Sequence, residues 1–271
     1  MTNHPTISVI VSTYNSPEWL EKVIHGFQFQ TVLPDELIIA DDGSTESTFA
    51  KIAQLQQQSR FPIKHVWHED NGFQKTKILN KALLASTGEY LVFTDGDCIP
   101  RKDFIAVHQR NAQPGYFLSG GYFKLPMHTS EAISLDDIAK GNSFDVSWLI
   151  AHGLPKTYKT LKLTAKGWLQ TLFNNLTPTG ATWNGHNASG WRSDIFAAKG
   201  FDERMQYGGE DRELGERLFN AGIKSKQLRY SAVVVHLDHA RGYVNQTMKD
   251  KNKQIRQYTK AHNITKTEHG L

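Results

Sequence analysis

The sequence predicts an α/β protein with a single Rossmann-like, doubly wound, mostly parallel sheet carrying helices on both faces. Three observations predict it. Short β-branched runs alternate with stretches whose apolar residues recur at helical spacing. The polar clusters fall directly after the apolar runs, which is where ligands bind in open α/β sheets. Finally, 271 residues with 39% apolar and 21% charged side chains, and no Pro- or Ser-rich linker, suit one large domain.

The first strand is expected over Ile7 to Ser12, followed by the loop Thr13-Tyr14-Asn15-Ser16-Pro17, in which Ser16 can cap a helix and Pro17 suits its first turn. Leu20, Val23, Ile24 and Phe27 then recur at helical spacing. A second strand at Leu37 to Ala40 stops at Asp41-Asp42-Gly43-Ser44. The alternation repeats with a helix over Ser47 to Gln58, a strand at Ile63 to Trp67, a helix over Lys75 to Ala85 and a strand at Tyr90 to Thr94, which predicts a parallel sheet. The second half is less regular. It contains Ser119-Gly120-Gly121-Tyr122, a long stretch from Leu135 to Leu176, a polar glycine cluster from Gly180 to Gly190, a helix around Asp211 to Asn220, a strand at Ala232 to Val235 and a charged tail.

Composition excludes several classes. No run of eighteen apolar residues occurs, and Met1 to Thr6 lacks a basic stretch leading into an apolar one, so neither a membrane span nor a leader is expected. Cys98 is the single cysteine, which rules out an intramolecular disulfide and fits a reducing, cytoplasmic setting. A formal charge of +4 admits a phosphorylated ligand, an anionic membrane surface or nucleic acid. The basic residues gather at Lys156, Lys159, Lys162 and Lys166, and again at Arg241, Lys249, Lys251, Lys253, Arg256 and Lys260, where ordinary solvated faces are the competing account. No nucleic-acid module accompanies them, so nucleic acid is not an expected partner.

The sharpest chemical signal is Thr94-Asp95-Gly96-Asp97, two carboxylates one residue apart after the apolar run Tyr90-Leu91-Val92-Phe93. Hard carboxylate oxygens at a strand end suit Mg²⁺ or Mn²⁺, which would neutralise a diphosphate leaving group; a plain turn is the alternative. The Asp41-Asp42 pair adds a carboxylate able to accept the imide N–H of uracil, or a simple helix cap. Asn71-Gly72-Phe73-Gln74-Lys75-Thr76-Lys77 places cations beside a helix start, where backbone N–H groups favour phosphate. Tyr207-Gly208-Gly209-Glu210-Asp211, after Gly200-Phe201-Asp202-Glu203, opens a helix with adjacent carboxylates, one of which could serve as general base, capping being the rival role. His236 and His239 follow Val233-Val234-Val235, where an imidazole could complete a metal shell.

Taken together, Val-Ser-Thr-Tyr-Asn at 11–15, Ala-Asp-Asp-Gly-Ser at 40–44, Gly-Glu-Tyr followed by Asp-Gly-Asp, and Gly-Phe-Asp-Glu leading to Gly-Gly-Glu-Asp resemble the family 2 glycosyltransferases of GT-A fold, across roughly residues 6–240. The segment Trp183 to Asn220 is similar to the carboxyl-terminal part of galactosyltransferase-like and chondroitin-polymerase-like domains. The resemblance implies a domain over 1–240, with a nucleotide-binding half at about 6–100, an acceptor-binding half at 101–240 and a basic tail at 241–271. It assigns Ser12 and Tyr14 to the nucleoside, Asp42 to uracil, Asp95 and Asp97 to ribose and metal with Asp97 as direct ligand, and His236 as a further ligand with His239 as the alternative. Asp211 becomes the base and Glu210 its acceptor-binding neighbour, with Trp183 and Asn187 as acceptor contacts. The family's Ala-Arg-Asn triplet is replaced by Ile78-Leu79-Asn80, so Lys75 or Lys77 would take over phosphate contact.

What the resemblance implies is an inverting, Mn²⁺- or Mg²⁺-dependent transfer from a nucleotide diphosphate sugar, with UDP as the expected nucleotide, onto a glycan or lipid-linked glycan in cell-surface polysaccharide or lipopolysaccharide assembly. The stretch Trp148 to Phe173, apolar residues interleaved with lysines, suggests peripheral contact with an anionic membrane, against a role in closing the core. Two rivals remain. A sugar-1-phosphate nucleotidyltransferase would want a glycine-rich, basic loop where Ser12-Thr13-Tyr14-Asn15-Ser16-Pro17 stands, and a non-catalytic glycan-binding module would not need both Asp97 and Asp211.

Overall fold

Successive residues of the first strand alternate between two apolar cores, and that alternation builds the molecule. In the computed structural model, which describes residues 4–240 and 245–271, Val9 and Val11 pack into one core and Ile10 into the other. The helical elements are α1 (Pro17–Gln28), α2 (Glu46–Gln58), α3 (Lys75–Ala85), α4 (Phe104–Asn111), α5 (Met127–Ala132), α6 (Leu135–Lys140), α7 (Val146–Ala151), α8 (Leu161–Thr164), α9 (Trp168–Leu176), α10 (Arg192–Ala197), α11 (Glu210–Asn220) and α12 (Gln246–Ala261). The strands are β1 (Ile7–Thr13), β2 (Glu36–Asp41), β3 (Ile63–Trp67), β4 (Tyr90–Asp95), β5 (Cys98–Pro100), β6 (Tyr116–Lys124), β7 (Ala188–Trp191) and β8 (Lys224–His236). They form one sheet in the order β3-β2-β1-β4-β7-β6-β8-β5. All run in one sense except β7 and β5, which are antiparallel to their neighbours. Helices cover both faces, so the expected doubly wound α/β sheet is present.

The register positions the site. Ser12 pairs with Asp95 and Thr13 with Asp41, so three adjacent parallel strands end on one polar rim. The chain runs outward from β1 to β2 and β3 on one side and crosses back from β3 to β4 on the other, and the crevice at such a switch point is where this architecture binds ligands.

Three strands escape the sequence pattern. Cys98–Pro100 and Ala188–Trp191 are too short for a periodic signal, and Tyr116–Lys124 carries Gly120-Gly121 in its middle. Those glycines are required by close approach: a Cβ on Gly120 would lie 2.1 Å from Asn187 Oδ1, and one on Gly121 2.1 Å from the Arg229 carbonyl oxygen. The strand expected at Ala232 to Val235 is the last part of thirteen-residue β8, whose pairing with β6 is irregular between Gly120 and Gly121.

The expected basic tail is part of the fold. Helix α12 packs along α11, Thr259 Oγ1 donates to Glu213 Oε1 at 2.9 Å, and Leu271 packs against the second core. Arg241, counted with that tail, lies outside the described residues. Fully buried Arg217 holds the carboxyl-terminal half together: it pairs with Glu213 and donates to the carbonyls of Ala198 and, at 2.7 Å, Gly200. No helix among the described residues is long and apolar enough to cross a membrane.

A second polar knot closes the opposite end of the sheet from the rim. Buried Glu36 accepts from Ser8 Oγ at 2.6 Å, from Thr87 N at 2.6 Å and from Lys64 Nζ at 2.6 Å. Burial alone would raise its carboxyl, but Lys64, Ser8 and Thr87 bring it down to about 2. A depressed carboxyl stabilises the native state above its unfolded value and loses that contribution as pH falls through the folded value. Glu36→Gln should therefore cost on the order of 2 kcal/mol at neutral pH, and parent and variant should converge as pH drops from about 4.5 toward about 2, read as urea midpoints across that range.

Candidate active site

The rim opens into a cavity of about 1010 Å³ whose walls come from β1, β4, the loop before α3, the segment around Gly185, the start of α11, the end of β8 and α12. On the sheet side, Ser12 Oγ donates to Asp95 Oδ1 at 2.7 Å, and Lys75 Nζ lies 2.6 Å from the same oxygen. Burial would raise the Asp95 carboxyl, yet the Lys75 ammonium and the Ser12 hydroxyl hold it well below the usual range. Burial would likewise lower the Lys75 ammonium, but Asp95 and Glu210 keep it above its ordinary value.

Tyr14 lines the cavity with its hydroxyl donating to Asp70 Oδ2 at 2.9 Å. Asp42 lines it too, its carboxyl raised by burial against the opposing pull of His68 and the Gln74 N–H. Each Asp42 oxygen already has one protein partner, His68 Nε2 at 2.7 Å and Gln74 N at 3.0 Å, which leaves further lone pairs able to accept from a donor in the cavity. Asp41 faces away and is spent on structure, accepting from Ser44 N at 2.9 Å with His65 Nε2 at 2.9 Å.

Beyond Gly96, whose N–H donates to Ser12 O at 2.7 Å, the chain turns Asp97 toward two imidazoles. Antiparallel pairing of β5 with β8 sets Cys98 against His236. Asp97 Oδ2 lies 3.7 Å from His236 Nε2 and 3.0 Å from His239 Nε2, and the two rings stack. Asp97, Cys98 and His236 offer ligand atoms within 4.8 Å of one another. The buried Nδ1 of His236 has no hydrogen-bond partner among the described residues, and its Nε2 is the nitrogen that faces Asp97. Burial keeps the Cys98 thiol protonated, and its sulfur donates to Asp97 Oδ1 at 3.2 Å. The donor set is thus a carboxylate with one or two imidazoles, which fits a divalent cation, and either histidine is placed to join Asp97.

The opposite wall is the start of α11. Gly209 takes the left-handed conformation, φ 90°, at the helix N-cap, after Gly208 at φ 110°. These two residues bend the chain so that Glu210 and Asp211 both face the cavity. Asp211 is braced by backbone donors, Gly185 N to Oδ2 at 2.9 Å and Arg212 N to Oδ1 at 2.7 Å. Glu210 Oε2 accepts from Gly208 N at 2.9 Å, and burial with the Asp211 charge pushes its carboxyl up to about 7.

Not every expected residue arrives here. Lys77 lies in a separate shallow depression with His68, Asp70 and Lys81, because residues two apart on a helix point to different sides and α3 turns Lys75 inward. Trp183 and Asn187 are fully buried and cannot touch an acceptor. Trp183 fills the second core between Phe93 and Phe117, at 5.4 and 5.6 Å. Asn187 donates to the carbonyls of Gly121 and Ala232 at 2.8 and 3.0 Å, tying β7 to β6 and β8. Their neighbours do line the cavity. Gly185 and His186 reach it from the polar glycine cluster, with His186 stacked edge-on against Tyr122 and pushed down to about 4 by burial. Lys249 and Arg256 reach it from α12, where the sequence marks them only as members of a basic cluster.

Residues 8–126 match the family described as glycosyl transferase family 2. The chain is 27% identical over 241 residues to the validoxylamine A glucosyltransferase of Streptomyces hygroscopicus subsp. limoneus, covering 82% of this chain and 50% of that one. It is 26% identical over 238 residues to the chondroitin synthase of Escherichia coli, covering 80% and 32%. This chain therefore spans half or less of these relatives. In fold it is similar to a Pyrobaculum calidifontis mannosyltransferase solved with GDP-Man and Mn²⁺, with TM-score 0.58, 20% identity, and 89% and 59% of the two chains covered. It is similar also to GalNAc-T7 solved with UDP, GalNAc and Mn²⁺, with TM-score 0.61, 14% identity, and 95% and 48% covered.

A raised carboxyl such as Glu210 favours the native state while protonated, so stability falls as pH climbs from its unfolded value of 4.5 through about 7. Glu210→Gln should melt with the parent near pH 4 and outlast it by roughly 2–6 °C near pH 8, measured by thermal denaturation at both ends. Equal melting temperatures at pH 8 would mean that Glu210 is not desolvated as described.

Proposed function

We propose that this chain, a member of glycosyl transferase family 2 through residues 8–126, moves a sugar from a nucleoside diphosphate sugar to a hydroxyl of a glycan or lipid-linked glycan. One observation carries the reading: strand-end carboxylates Asp95 and Asp97 and helix-start carboxylates Glu210 and Asp211 face each other across a single cavity large enough for both substrates. The nucleoside is assigned to the wall formed by Ser12, Tyr14 and Asp42, with uridine suited to an Asp42 acceptor. Lys75, already in the cavity at 2.6 Å from Asp95, meets the diphosphate.

Asp97 with His236 or His239 would hold Mn²⁺ or Mg²⁺, which would supply positive charge to the departing diphosphate. Asp211, its carboxylate fixed by two backbone N–H groups, takes the proton from the acceptor hydroxyl. The freed oxygen forms a bond to the anomeric carbon as the bond to the diphosphate oxygen breaks on the opposite face, so the configuration inverts. Glu210 orients the acceptor beside it. Placement in polysaccharide assembly is supported by the likeness to a chondroitin synthase.

Asp97→Ala should reduce sugar transfer by more than about 10²-fold and weaken nucleotide-sugar binding, and exhaustive chelation of the parent should do the same, reversed by Mn²⁺ or Mg²⁺. Following nucleotide release over a panel of nucleotide sugars checks both donor and metal. Full activity after chelation would reduce Asp95-Gly96-Asp97 to an ordinary turn.

Asp211→Asn keeps the shape of the side chain and removes its proton acceptor, so kcat should fall about 10²- to 10⁴-fold with donor affinity retained. Calorimetric donor titration beside steady-state kinetics separates these. Normal turnover would pass the base role to Glu210.

A further inference from the structure

The stretch from Trp148 to Phe173 divides into two populations. Leu149, Leu154 and Leu163 are buried and close the first core. Lys162 also turns inward: its ammonium donates to the Tyr122 carbonyl at 3.1 Å and is pushed down to about 8 by burial, with Arg229 and Lys159 adding to the shift. The other population faces solvent. On α9, Phe173 packs on Tyr230, and Asn174 is tied to Ser231 Oγ at 2.8 Å and to the Tyr230 N–H at 2.8 Å. That docking leaves Trp168, Leu172 and Leu176 on the outer side at 73, 38 and 66% exposure. They stand at i, i+4 and i+8, one continuous apolar stripe along the helix. Tyr158 and Leu161, just upstream, are 80 and 47% exposed.

Charge singles out this segment as well. No aspartate or glutamate stands between Asp145 and Asp194. Within that interval Lys156, Lys159 and Lys166 are exposed, and no ion pair is recorded for them among the described residues. A two-fold contact with a second copy would set these lysines against each other with no local carboxylate to compensate. An anionic bilayer satisfies both features, taking aromatic and aliphatic side chains at its acyl boundary and ammonium groups at its phosphates.

We propose that the outer face of α9, with the lysines that precede it, is a docking surface for an anionic lipid bilayer, holding the chain parallel to the membrane plane without spanning it. The proposal stands apart from the transfer reaction, since none of these residues lines the cavity.

The test is co-sedimentation of the whole chain with phosphatidylcholine vesicles, with and without phosphatidylglycerol, at low and high salt. Binding should require phosphatidylglycerol and weaken with salt. Trp168→Ser/Leu172→Ser/Leu176→Ser should abolish it, and Lys156→Gln/Lys159→Gln/Lys166→Gln should lower affinity by about fivefold per charge removed. Both triple variants replace exposed groups, and retained nucleotide release from a soluble donor serves as the control for folding. Absence of binding at low salt overturns the proposal, as does unchanged binding by the serine variant. Parent self-association that the serine variant loses, without vesicle binding, assigns the face to a second copy instead. Because vesicle binding is read without sugar transfer, its failure leaves the proposed activity intact, and the reverse holds.

Discussion

Asp42, Asp95, Asp97, Glu210 and Asp211 all face one cavity, and the Lys75 ammonium lies among them, 2.6 Å from Asp95 and within the field of Glu210 and Asp211. Like charges in a partly desolvated space repel far more strongly than in water. Without a central cation, the carboxylates would be driven apart or would take up protons. Lys75 sits in the first turn of α3, where a cation opposes the helix dipole and no acidic residue offsets it. The local rule of helix construction is broken there in favour of the cleft, a pattern expected at functional sites.

The remaining electrostatics follow from that arrangement. Lys75 and Ser12 keep Asp95 ionised, while Glu210, on the far wall beside Asp211, is left close to neutral pH. Two carboxyl groups in one cavity are thus pushed in opposite directions, and groups separated in this way can divide acid and base duties. Burial of His186 keeps a third titratable group uncharged between them.

How much of this was legible in the sequence differs between the halves. β1, β2 and β4 read directly because buried parallel strands are continuous apolar runs, and the polar clusters behind them mark their carboxyl ends. β6 was hidden by Gly120-Gly121, which serve close approach to Asn187 and to the Arg229 carbonyl rather than any turn. Asp95, Asp97, Glu210 and Asp211 were found because carboxylates in adjacent pairs at element boundaries are informative by position. Trp183 and Asn187 were misread because an aromatic ring and an amide look alike in sequence whether they meet a ligand or fill a core. Choosing between Lys75 and Lys77 required the rotational phase of α3, and Lys249 required the long-range docking of α12 onto α11.

Asn187 has a consequence beyond its absence from the cavity. With His108 and Ser189 it forms a buried chain of hydrogen bonds: His108 lies 2.7 Å from Ser189 Oγ and 3.1 Å from Asn187 Oδ1, and Ser189 Oγ bonds to the Tyr90 hydroxyl at 3.0 Å. Those bonds, with the two to the Gly121 and Ala232 carbonyls, stitch β4, β7, β6 and β8 into one plate beneath the cavity. Such a floor cannot separate along these strands without exposing unpaired polar groups. The four strands that carry these bonds therefore hold to one another as a unit.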